Sequence, residues 1–179
     1  MKRLVTLLCA ALLLALLTVS SLAQSAPRAP VIVAASTLNN AASAFGFSPN
    51  VEIYVTGVEV ATVEGSEPQH SCAAGAHSKS IWLRTFLPAG TLNLDTSGSS
   101  YTTGIGSSPD TVISIYRLTN WTFQTFADLS AIGCNNNGTS AGIINGFSIV
   151  DPDDYMVQIS AAPGFTVTGS SQVVLKATF

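Results

Sequence analysis

The chain has 179 residues, seven Lys or Arg against ten Asp or Glu, and only 9% charged residues. With a formal net charge of −3 and no Lys/Arg patch to displace phosphate counterions, nucleic acid is excluded as a partner. Abundant Ser, Thr, Gly and Asn beside so few charges suit an extracellular β-protein, whose solvent-facing strand positions carry hydroxyls and amides and whose turns use Gly and Asn.

The first stretch has the pattern of a targeting signal. Lys2 and Arg3 precede an apolar run from Leu4 to Val19, and Ser21-Leu22-Ala23 offers small residues for cleavage after Ala23. The run is short for a membrane span and no basic stop-transfer cluster follows. Residues 1–23 are therefore expected to be a signal peptide that is removed together with Cys9, leaving no membrane attachment. The remaining chain is one domain long. Residues 24–36 are expected to form a leader and an edge strand at Val31 to Ser36, and 37–179 the folded domain, whose Thr37 to Phe47 segment is either one helical turn or a loop over the end of a sandwich.

Val51 to Val63 alternates with an interruption at Gly57, which predicts two short strands or one bent strand. Glu64 to His77 is polar and suits a surface connection. Ser80 to Arg117 carries three predicted strands. Ile81, Leu83 and Thr85 alternate with Trp82, Arg84 and Phe86, Leu92 and Leu94 alternate with Asn93 and Asp95, and Val112 to Tyr116 is a β-branched run. Pro88-Ala89-Gly90 suits a hairpin, so two of the three are expected to be adjacent and antiparallel. Leu118 to Asp128 has no strand pattern, Asn135 to Gly138 reads as a turn, and strands are predicted at Ile143 to Val150, Tyr155 to Ile159 and Val173 to Ala177, with Phe165 to Val167 as one more. Repeated short strands without helical periods predict an all-β fold, an antiparallel two-sheet β-sandwich.

Outside the signal the cysteines are Cys72 and Cys134, an even pair in an oxidising compartment, and a disulfide is expected; the alternative is two free thiols acting as metal ligands or nucleophiles. Catalytic signatures are missing. There is no G-x-S-x-G elbow and no H-E-x-x-H, and His70 and His77 are expected to be exposed loop residues. The Asp151-Pro152-Asp153-Asp154 cluster reads as a solvated turn. Calcium is the metal the residue types suit, through Asp95, Asp110, Asn135 and Asn136, if their loops meet at one end of the sandwich. Trp121, Phe123 and Phe126 either form an exposed platform for a sugar ring or polypeptide, or cap an open end of the sandwich. Trp82 is expected in the core. Asn120-Trp121-Thr122 and Asn137-Gly138-Thr139 match the N-glycosylation pattern.

The succession E-P-Q-H-S-C, S-I-W-L-R-T-F, P-A-G-T-L-N-L-D-T-S-G-S-S, D-T-V-I-S-I-Y, C-N-N-N and F-S-I-V-D-P-D-D-Y-M-V-Q-I-S resembles the bacterial pre-peptidase C-terminal (PPC) domain family, from about Thr37 to Phe179. The resemblance implies a jelly-roll-like sandwich in an exported protein. Some members of that family bind structural calcium through acidic residues. Here Leu38-Asn39-Asn40 lacks carboxylates, and three asparagines follow Cys134. The family's domain commonly accompanies secreted peptidases; no catalytic domain is attached here.

The expected function is thus a secreted or cell-surface, non-catalytic module that binds extracellular polysaccharide or protein, or works with a separate secreted protein, and needs no cofactor other than possible calcium. The alternatives are a calcium-stabilised structural module and a small secreted hydrolase using the acidic loop residues.

Overall fold

The computed structural model describes residues 28–38, 40–100, 109–120, 122–138 and 140–179. The expected signal peptide over 1–23 lies outside them. Among the described residues there are ten strands: β1 Val31–Ala34, β2 Phe45–Gly46, β3 Val51–Thr56, β4 Ser78–Leu87, β5 Gly90–Asp95, β6 Thr111–Leu118, β7 Leu129–Asn136, β8 Ile143–Ile149, β9 Asp153–Ala161 and β10 Gln172–Thr178. They form two five-stranded sheets, ordered β1-β3-β10-β5-β8 and β2-β4-β9-β6-β7.

The expected all-β sandwich is the observed one. Strands β3-β10-β5-β8 face β4-β9-β6-β7, all pairs within each set antiparallel, which is the jelly-roll connectivity. The two short N-terminal strands differ. β1 pairs with β3 and β2 with β4 in parallel, because the chain crosses to the opposite sheet before returning beside its earlier strand.

Alternation drives the assembly. Ile53, Val55, Ile81, Leu83, Leu92, Leu94, Ile113, Ile115, Val157, Ile159 and Leu175 point into one continuous core and are inaccessible to solvent. The central strands of the second sheet are also covered on their other face, where Trp82, Tyr116, Leu118 and Met156 pack with Ala41 under Phe123 and Phe126. Trp82 is completely buried, as expected for a core residue.

Several local expectations are corrected. Pro88-Ala89 does not close a hairpin: Leu87 pairs with Asp153 in one sheet and Gly90 with Ile149 in the other, so the connection arches across the sandwich. None of β4, β5 and β6 is a neighbour of another, because β5 lies in the opposite sheet from β4 and β6, and β9 lies between those two. After β3, Gly57 adopts φ 74° and turns the chain into a one-turn 3-10 helix at Val58–Val60, so the second half of that alternating stretch is not strand. Asn135 and Asn136 end β7 instead of forming the turn, and Phe165 to Val167 is irregular. No helix among the described residues is long and apolar enough to cross a membrane.

Candidate functional site: a groove above a buried polar cluster

The outer face of β4, β9 and β6 presents polar side chains where an exposed sheet would meet water: Ser80, Gln158, Ser160 and Ser114 are all buried. The loop from Glu64 to His77 lies over them and supplies partners to Gln158, Ser160 and Ser114, while Ser80 Oγ donates to the Thr62 carbonyl just before it. Gln158 Nε2 donates to Glu67 Oε1 at 2.8 Å and to the Pro68 carbonyl at 3.3 Å, and its Oε1 accepts from the Tyr116 hydroxyl at 2.7 Å. His77 Nε2 is 3.5 Å from Glu67 Oε1, and its Nδ1 is 3.2 Å from Gln69 Oε1. His70 is held between two hydroxyls, with Nδ1 2.6 Å from Ser114 Oγ and Nε2 2.8 Å from Ser160 Oγ.

Both histidines are therefore buried, at 3% and 6% exposure, where the sequence led to exposed loop positions. The loop is the expected surface connection, with most of its residues exposed, but Glu67, His70 and His77 turn inward to satisfy a polar sheet face. Burial, with His77 adding to it, pushes the His70 pKa down to about 3, so its ring is neutral. Burial alone would raise the Glu67 carboxyl, but contacts from His77, Ser80, the Glu64 backbone N–H and Gln158 outweigh it and hold the group below the ordinary range. Burial pushes the Tyr116 phenol up to about 12.

Above this cluster the rim of the loop and the segment after β6 leave an open groove of about 760 Å³, whose lining includes Glu64, Ser66, Pro68, Phe123, Gln124 and Phe126. The aromatic wall is fixed from behind. Phe126 lies 5.7 Å from Trp82 and Phe123 meets Phe126 edge-on at 5.5 Å, both between ring centroids. A capping box tightens the backbone below it. Thr125 Oγ1 accepts from Ala127 N, and Asp128 Oδ2 accepts from the backbone N–H groups of Gln124 and Thr125, each at 2.9 Å. Those two bonds hold the Asp128 carboxyl below its usual range. Among the described residues Glu64 is the one charged member of the lining, and its Oε2 accepts the Ala41 N–H at 2.8 Å.

Of the aromatic candidates, Phe123 lines this groove half-buried, and Trp121 lies outside the described residues. Phe123 and Phe126 cover an outer sheet face and do not plug an open end of the sandwich. Cys72 and Cys134 are bonded to each other, Cα atoms 5.7 Å apart, which ties the Glu64 to His77 loop to β7 and is compatible with an extracellular location.

The calcium candidates sit around one end of the sandwich, where Thr96 Oγ1 and Thr111 Oγ1, next in sequence to Asp95 and Asp110, are 2.6 Å apart. Three of the four residues each give one side-chain oxygen to a backbone donor. Asp95 Oδ1 accepts from Ser97 N at 2.7 Å, Asn135 Oδ1 from Ile143 N at 3.0 Å and Asn136 Oδ1 from Gly138 N at 3.2 Å. Asp110 differs: its Oδ1 is buried with no hydrogen-bond partner among the described residues, and burial raises its pKa. Among the described residues, no group of three or more His, Cys, Asp or Glu could hold a metal ion. Asp151 and Asp153 both pair with Arg117, and Asp154 with Arg84, so the three carboxylates of that acidic turn are paired with two arginines of the sheet.

Sequence reasoning missed Glu67, Gln158, Ser114 and Ser160. The available signal was Met156-Val157-Gln158-Ile159-Ser160, a strand flanked by apolar residues whose alternate positions are polar yet uncharged. A scan against protein-family models finds no match, and a search of curated proteins finds none either.

Proposed function

We propose that this chain is a secreted, non-catalytic binding module similar to PPC domains, and that its groove takes an uncharged extracellular polysaccharide. The observation that carries this reading is the groove itself: an open trough with an aromatic wall at Phe123 and Phe126, amide and hydroxyl groups at Gln124 and Ser66, and no cationic side chain among the described residues of its lining. Aromatic rings next to amides and hydroxyls suit sugar rings, and a lone carboxylate at Glu64 disfavours sulfated or uronic polymers. The non-catalytic part of the reading is supported by the histidines, since both ring nitrogens of His70 are taken by serine hydroxyls under the sheet surface. The disulfide and the apolar run of residues 4–19 support export.

The test is binding of the purified protein to neutral polysaccharides, to anionic polysaccharides and to fibrous proteins, followed by Phe123→Ala on whichever is retained. Retention on a neutral polymer that Phe123→Ala abolishes supports the reading. Binding only to fibrous protein, or binding unaffected by Phe123→Ala, overturns it.

Asp110 favours a second reading, that of a module stabilised by calcium. Its buried, unpaired oxygen is the type of ligand a hard cation takes, although Asp95, Asn135 and Asn136 already serve backbone donors. A melt with calcium and with chelator tests it. Equal midpoints in the two retire it.

A further inference from the structure

The two sulfurs of the Cys72–Cys134 bond have unequal surroundings. Cys72 is exposed, whereas Cys134 is half-buried on β7. Two donors converge on the Cys134 sulfur, the Cys72 backbone N–H at 3.2 Å and the Ser114 hydroxyl at 3.3 Å. Behind Ser114 stands His70. With the Ser114 proton directed at sulfur, Ser114 Oγ accepts from His70 Nδ1–H at 2.6 Å; the other ring nitrogen, Nε2, then accepts from the Ser160 hydroxyl at 2.8 Å. Ser160, His70, Ser114 and Cys134 thus form one chain of donors, every bond pointing toward the sulfur and polarising the next.

A neutral disulfide sulfur gains little from such donors. A thiolate at the same place gains far more, because hydrogen bonds to an ionised acceptor are roughly twice as strong as neutral ones. We infer that the Cys72–Cys134 bond is a thiol-exchange site with a fixed direction: an incoming thiolate attacks Cys72 Sγ, and Cys134 departs as the stabilised thiolate. In the step a new S–S bond forms between the incoming sulfur and Cys72, the Cys72–Cys134 bond breaks, and its electron pair stays on Cys134. The incoming sulfur is oxidised from thiolate to disulfide level and the Cys134 sulfur is reduced to thiolate, so the thiol is itself the reductant and no other is consumed. Attack by Cys134 on the mixed disulfide reverses the step and releases the thiol.

The ligand class is a thiol, either small or carried by a protein. Exposure selects the attacked sulfur, and the donor chain selects the leaving one. The overlying loop has other anchors that the step leaves intact, since Glu67 and Pro68 remain bonded to Gln158. This site is separate from the groove and does not depend on the polysaccharide reading.

The test is to incubate the folded, purified protein with glutathione, quench with acid and map the adduct by peptide mass spectrometry. The expected result is glutathione on Cys72 with Cys134 free, and an exchange rate that falls roughly threefold or more in Ser114→Ala. An adduct shared evenly or found on Cys134, no adduct on the folded protein, or a wild-type rate in Ser114→Ala overturns the inference. If Ser114→Ala does not fold, Cys72→Ser isolates the Cys134 thiol in place. Its titration is expected below the ordinary value of about 8.5, and a value at or above that overturns the inference equally.

Discussion

Gln158, in the middle of β9, donates its side-chain amide to the Glu67 carboxylate at 2.8 Å, across 91 residues of chain. Gln158 is fully buried, and Glu67 is 6% exposed. The same amide reaches the Pro68 carbonyl, so one sheet residue positions the turn that forms a rim of the groove. Replacing it with an apolar residue of similar size leaves a buried carboxylate short of a donor. Gln158→Leu is expected to cost about 3 kcal/mol, read from the urea midpoint. An unchanged midpoint would mean that Glu67 finds water instead.

The cluster also makes the fold acid-sensitive, and both relevant shifts act in the same direction. His70 has a folded pKa of about 3 against an ordinary 6.5, so below pH 6.5 the unfolded chain takes a proton that the folded one refuses. Stability is complete above that range and declines as pH falls toward 3, by an amount on the order of 5 kcal/mol if the ring stays buried. Glu67, held below its usual range, contributes stability that is present above the unfolded carboxylate pKa and lost as pH falls through the folded one. Denaturant midpoints measured from pH 7 downward should therefore fall, with the first decline near pH 6.5. In His70→Gln that first decline is expected to vanish while the carboxylate part remains.

The two-sheet architecture was legible because burial in a sandwich imposes period two, and Ile81, Leu83, Leu92 and Leu94 show it plainly. Strand pairing was not. Alternation tells which face of β4 meets the sandwich core but not that its partner is β9, some seventy residues on, so Pro88-Ala89-Gly90 looked like a hairpin when it is an arch. The polar cluster was hidden for a related reason. His70 and His77 sit among Gln, Ser and Gly, a composition that normally marks exposed loops, and only the fold shows that His70 meets Ser114 and Ser160 and that His77 meets Glu67. Phe123 was legible as an aromatic in a segment without strand pattern. Its wall partners Glu64 and Ser66 come from a distant loop.

Gly142 provides a check on packing at the end of the sandwich near Asp95 and Asp110. A Cβ there would lie 2.9 Å from Ile113 Cγ1 and 3.0 Å from the Thr111 carbonyl oxygen, and the Gly142 N–H donates to Thr111 Oγ1 at 2.8 Å. Backbone cannot yield as a flexible side chain can. Gly142→Ala is expected to destabilise by about 2 kcal/mol, seen as a lower thermal midpoint. A neutral effect would show that β6 and the chain before β8 separate more readily than this contact implies.

Asp110 separates the calcium reading from a merely uncomfortable carboxylate. Its folded pKa is raised by burial, so stability is lost as pH climbs above the unfolded value and the buried group resists ionising. In chelator at pH 7, Asp110→Asn removes that charge and is expected to be neutral or stabilising by about 1 kcal/mol. If calcium uses Asp110, the same substitution instead lowers the melting temperature, and only when calcium is present. Identical behaviour in both buffers removes Asp110 from any metal site.

Phe123 and Phe126 share one wall but are expected to fail differently when truncated. Phe126 packs on Trp82 as well as on Phe123, so its ring belongs to the cluster beneath the groove. Phe126→Ala opens a cavity against Trp82 and is expected to cost about 2 kcal/mol of stability, lowering the melting temperature. Phe123 has no such ring contact with Trp82 among the described residues, and it lies half-buried beside Gln124. Phe123→Ala is expected to weaken binding of a neutral polysaccharide at least tenfold, about 1.4 kcal/mol, with a smaller stability loss. Titration calorimetry beside a thermal melt measures both quantities on the same samples. If Phe123→Ala lowers the melting temperature as far as Phe126→Ala while binding is unchanged, the wall is only a lid on the sheet and the groove is not the recognition surface.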